Sequence, residues 1–81
     1  MSARAEAADW NLGQRVRSVR RHAEVSQADL ARWMVAAGHP FRQSTVSKIE
    51  LGSRPVLARE IHDLAVLLGV STGWLLTGKD E

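Results

Sequence analysis

Gln43, Ser44, Ser47 and Lys48 bring an amide, two hydroxyls and an ammonium into one short segment, with Val46 and Ile49 as the only apolar residues from Arg42 to Ile49. On a helix, positions three and four apart share a face, so these four polar groups would project together. They match what base edges offer in the major groove: Gln can pair bidentately with adenine, and Lys can donate to guanine. Arg42 and Arg54, on either side, could meet phosphates, which positions a helix without reading sequence. A solvated helix face has the same composition, and residue types alone leave the two readings level.

Other chemistries find less support. His22, His39 and His62 fall on separate segments with no i, i+4 pair and no carboxylate at metal-ligand spacing, and the chain contains no cysteine, so no metal centre is expected. Every candidate Ser serves better as a helix cap or as part of the polar face, which leaves no Ser-His-Asp arrangement. Trp33 is expected in or near the core, as most Trp are. With no paired titratable groups, an enzyme is the weakest reading, and no cofactor or small-molecule substrate is expected.

The net charge of +2 hides a strong asymmetry. Trp10 to Arg59 holds nine basic residues against three acids, and the rest of the chain two against six. A basic body with acidic ends suggests a polyanionic partner for one face. At 81 residues and 44% hydrophobic, the chain is expected to form one small domain. No apolar run approaches the roughly 18 residues of a membrane span, and Met1 to Asp9 alternates Ala with charge, so a cytoplasmic protein is expected. The expected organisation is a flexible arm over 1–9, a folded domain over 10–78 and a charged tail over 79–81.

The polar face needs helices to position it. Leu12, Val16, Val19 and Ala23 predict a first helix from about Leu12 to Ala23, with Asn11 as cap. Ser26 with Asp29 three residues on predicts a second N-terminus, followed by the apolar stripe Leu30, Ala31, Met34 and Val35 and stopped by Gly38-His39-Pro40. A third helix spans Gln43 to Leu51, closed by Gly52. Leu57, Ile61, Leu64, Ala65 and Leu68 mark a fourth, and a short fifth follows Ser71 to Gly78. No period-two alternation supports a strand, so the fold is expected to be all-α with five helices.

Three stretches then carry a resemblance: Ser26 to Ala31, Gln43 to Gly52, and Leu68 to Ser71 with Trp74 to Gly78. In that order and spacing they resemble the repressor and Cro-like helix-turn-helix proteins of phages and bacteria, the XRE family, over about Leu12 to Gly78. The resemblance implies that Gln43, Ser44 and Lys48 read bases, with Ser47 and Arg42 at the edge of that surface. It implies a phosphate contact for Gln27 and for Arg54 in the loop after the reading helix, and an ion pair between Arg20 and Glu50. Two departures stand out. The connection between helices two and three is lengthened, and Arg42 and Val56 stand where small capping residues open helices three and four in the family.

The resulting expectation is a sequence-specific DNA-binding transcription regulator, a repressor, on a double-stranded operator. One such unit covers a half-site, so a homodimer at least on DNA is expected, with Val66, Leu67, Trp74 and Leu75 as its candidate interface. An antitoxin of the same fold, or a non-catalytic adaptor, are the rival readings.

Overall fold

The computed structural model describes residues 2–79, with side chains from Asn11 onward. Five helices and no strand occur among the described residues: α1 (Ser2–His22), α2 (Gln27–Ala36), α3 (Gln43–Glu50), α4 (Ala58–Leu68) and α5 (Thr72–Thr77). All five surround one core, built from Leu12 and Val16 of α1, Leu30, Ala31 and Met34 of α2, Val46 and Ile49 of α3, Ile61, Leu64 and Ala65 of α4, and Leu75 of α5, with Phe41 contributed by the α2–α3 connector. Each of its Val, Leu, Ile, Met and Phe side chains, removed from water, contributes about 1.5–3 kcal/mol before entropy is counted.

α1 begins at Ser2, a full ten residues before the expected Leu12. Ala3, Ala5, Ala7 and Ala8 make that segment a good helix former, and Asn11 is consequently an interior residue of α1 rather than its cap. The stripe α1 buries is Leu12, Gly13, Val16 and Arg20, at i, i+1, i+4 and i+8; Ala23, expected there, is exposed. At its end, the Val25 N–H bonds to the Arg20 carbonyl and the Glu24 N–H to that of Arg21, each at 3.0 Å. That closing pattern puts Glu24 in the left-handed region, φ 60°, where a side chain costs about 1–2 kcal/mol.

α2 opens on Ser26, whose hydroxyl accepts the Asp29 N–H at 3.0 Å. It buries Leu30, Ala31 and Met34, while Val35 and Trp33, both expected inside, are exposed. The three buried positions already fill the arc that meets α3 and α4, and residues 33 and 35 each stand about 100° from Met34. The connector from Ala37 to Arg42 turns at Gly38, φ 101°.

Neither α3 nor α4 has a side-chain acceptor at its first cap. Each is closed from the other side instead: the Thr45 hydroxyl accepts the Arg42 N–H at 3.0 Å, and the Glu60 carboxylate accepts the Leu57 N–H at 2.8 Å. The cap of α4 is therefore Leu57, not Val56. On α5, Leu75 is fully buried and cannot belong to an external interface; Leu67 and Trp74 are half-buried against the core, and Val66 and Leu76 are exposed. Arg15 of α1 donates to the Leu75 and Leu76 carbonyls, both at 2.8 Å, which satisfies the open end of α5.

Candidate functional site

α3 contributes only Val46 and Ile49 to the apolar core, so its placement depends on what holds its C-terminal half. Gly13 lets α1 approach so closely that a β-carbon there would lie 2.1 Å from the Ile49 carbonyl oxygen. One residue on, the Gln14 amide donates to the Glu50 carbonyl at 2.9 Å. The Glu50 carboxylate, 3% exposed, accepts Arg20 Nε at 2.7 Å and a second Arg20 nitrogen at 3.1 Å, and Gln27 Nε2 at 3.0 Å. Arg20 also donates to the Val25 carbonyl at 2.8 Å. The structure thus brings Arg20 and Glu50 together as a bidentate buried pair, and adds Gln27 to it.

Held in this way, α3 turns Gln43, Ser44 and Lys48 to solvent, with Arg42 at its N-cap. Leu51, 59% exposed, continues the same face one turn beyond Lys48. Ser47 turns partly aside, into a cleft of about 360 Å³ that it lines with Arg17, Arg20, Arg21, Gln27, Glu50 and Leu51. Arg17, Arg21, Arg42 and Lys48 make no ion pair among the described residues, so one side of the molecule carries four uncompensated cations around the polar face. Arg17, Arg21 and Leu51 were missed as site residues by sequence reasoning. The signal for the arginines was their i, i+4 spacing on α1, along the flank of the buried stripe.

Two residues expected at phosphates are occupied elsewhere. Gln27 spends one side-chain N–H on Glu50, leaving the other and its backbone N–H in the first turn of α2. Arg54 holds Glu60 with two bonds, at 2.6 and 3.0 Å, and lies 5.3 Å above the Phe41 ring. The Arg54 hydrogen bond holds the Glu60 carboxyl below the usual carboxylate range, against the opposing effect of burial; the Leu57 N–H and the charges of Arg54 and His39 act with it. The same bond to Glu60 pushes Arg54 up.

A depressed carboxylate stabilises the fold above its unfolded-state pKa, and that contribution disappears as pH falls through the lower folded value. Glu60→Gln is expected to lower stability at neutral pH by about 1–2 kcal/mol, a moderate figure because Arg54 keeps 30% of its side chain in solvent. The melting-temperature gap to wild type should close as pH falls through and below the ordinary carboxylate range, where wild-type Glu60 becomes protonated. A gap that stays constant over that range would assign the loss to packing.

Among the described residues no group of three or more His, Cys, Asp or Glu is placed to hold a metal ion, and no helix is long and apolar enough to cross a membrane. A family model described as a helix-turn-helix domain matches residues 11–76. No curated protein and no solved structure matches the chain.

Proposed function

Since the chain belongs to the helix-turn-helix domain family, we propose that it is a sequence-specific DNA-binding regulator of transcription, a repressor, that lays α3 in the major groove. The observation that carries this reading is the exposed row of Gln43, Ser44 and Lys48, flanked by the unpaired Arg17, Arg21 and Arg42 and mounted on a buried polar network instead of a broad apolar face. In this reading Gln43, Ser44 and Lys48 read base edges, Ser47 lies at the margin, and Leu51 offers an apolar contact for a thymine methyl. Arg17, Arg21 and Arg42 meet phosphates, joined by Gln27 through the N-terminal end of α2. Arg54 serves by holding Glu60.

A single unit of this size covers one half-site, so the protein acts as a homodimer on a two-fold operator, in the cytoplasm and without cofactor or catalysis. Of the apolar residues near its C-terminal end, Val66 and Leu76 are the ones open to a partner.

Base and phosphate contacts leave different signatures when removed. On a duplex enriched by the wild-type chain from a random pool, Gln43→Ala should cost about 1–3 kcal/mol and leave binding to a scrambled duplex nearly unchanged. Arg21→Ala should weaken both duplexes alike and reduce the salt slope by about one unit per protomer. Titrations at several salt concentrations measure both. Equal losses on the two duplexes for Gln43→Ala would place base reading on another face.

A further inference from the structure

The C-terminal half of α3 is fixed by α1 and α2, but the residues proposed to read bases most directly, Gln43 and Ser44, lie at its other end. That end follows the lengthened connector, and two contacts tie the connector to α4. His39 closes α2 through its backbone N–H, which bonds to the Met34 carbonyl at 2.9 Å. Its ring, with only 11% of the side chain exposed, points the other way: Nε2 lies 2.6 Å from Asp63 Oδ2 on α4. An ionised carboxylate only accepts, so this Nε2 carries the proton. Two residues later Phe41 enters the core, edge-on to His39 with ring centres 6.3 Å apart and capped by the Arg54 guanidinium. Arg54 in turn is bound to Glu60, three residues before Asp63 on α4. Arg42, the next residue after Phe41, is the N-cap of α3.

We propose that His39 and Asp63 are positioning residues that set the angle of the N-terminal end of α3, and with it the register of Gln43 and Ser44 on base edges. The longer connector would otherwise permit a range of angles; the charge-assisted bond to α4 selects one. α3 then has two independent mounts, α1 at one end and α4 at the other. Loss of the second should misplace the reading residues while Arg17 and Arg21 on α1 still find phosphate. This inference rests on the DNA-reading proposal.

The test compares wild type, His39→Ala, Asp63→Ala, the double variant and His39→Gln. Binding is measured on a duplex enriched by wild type from a random pool and on its scrambled counterpart, with a thermal melt for each variant. His39→Ala and Asp63→Ala should each reduce the preference for the enriched duplex about tenfold, with scrambled binding within about twofold of wild type. The double variant should lose no more than either single one, because both remove the same contact. His39→Gln, whose amide can still donate to Asp63, should recover most of the preference. Parallel weakening on both duplexes, additive single effects, or unchanged preference in folded variants would each overturn the clamp. If His39→Ala does not fold, Asp63→Ala and His39→Gln decide the matter alone. A wild-type chain that enriches no duplex would overturn the DNA reading and the clamp with it, whereas enrichment with no effect of the variants overturns the clamp only.

Discussion

Glu50→Ala is expected to destabilise the protein by about 3–5 kcal/mol, the cost of leaving one member of a buried ion pair without its partner. Arg20 is 9% exposed and fixed in place by its bond to the Val25 carbonyl, so it cannot swing its charge to water when the carboxylate is gone. Gln27 loses its acceptor in the same step. A domain of this size has a total stability of about 5–15 kcal/mol, so the change removes a large share of it and should lower the melting temperature by well over 10 °C. The pair itself is a different matter. Replacing both residues with apolar side chains of similar volume, as in Arg20→Met with Glu50→Leu, should recover most of the loss, since neither charge then needs desolvating. Thermal and urea melts of the single and double variants check this, and a Glu50→Ala melt within about two degrees of wild type would refute it.

Gly13→Ala should be nearly as damaging for a steric reason. Its β-carbon would meet the Ile49 carbonyl oxygen at 2.1 Å, the Ile49 carbonyl carbon at 3.0 Å and Glu50 Cα at 3.1 Å. All three are backbone atoms, so no side chain can rotate away, and α1 and α3 must separate. Overpacking of this kind costs about 3 kcal/mol or more, against a gain of at most about 1 kcal/mol from the better helix propensity of Ala. The displacement also pulls the Glu50 carbonyl from Gln14. Gly73→Ala is the control: a β-carbon at that position in α5 meets nothing within 4 Å, so only the propensity gain remains and stability should hold or rise. Equal melts for the two variants would mean that the α1–α3 contact yields more easily than its geometry implies.

The helix-capping residues and the apolar periods were legible without coordinates because they act locally. Ser26 and Ser71 do open α2 and α5, and the regular spacing of Ile61, Leu64 and Ala65 does mark the buried face of α4. The polar face of Gln43, Ser44 and Lys48 followed from the same logic, since the few apolar residues of α3 leave the others outside. Arg20 and Glu50 were implied by resemblance, and no local pattern would have paired residues 30 positions apart. What stayed hidden was set by how the chain returns on itself. Arg54 finds Glu60 instead of open solvent, and His39 finds Asp63, only because the connector and the α3–α4 loop both pack on α4. Leu75 was misplaced because α5 is too short to show a period, and Trp33 and Val35 because α2 needs only three residues for its contacts. The early start of α1 reflects alanine propensity, which outweighs the capping tendency of Asn11.

Arg20 connects two parts of the molecule that would otherwise be free to open separately. Its guanidinium closes the elbow between α1 and α2 through Val25, and it grips α3 through Glu50. The elbow also carries the left-handed Glu24, so it is the point where the native backbone gains most by relaxing. Relaxation there cannot remain local, because losing the Val25 bond frees the same side chain that anchors α3. Elbow and α3 are therefore expected to share part of their opening free energy, which native-state hydrogen exchange of amides in both would show, and a ligand that immobilises α3 should tighten that turn as well.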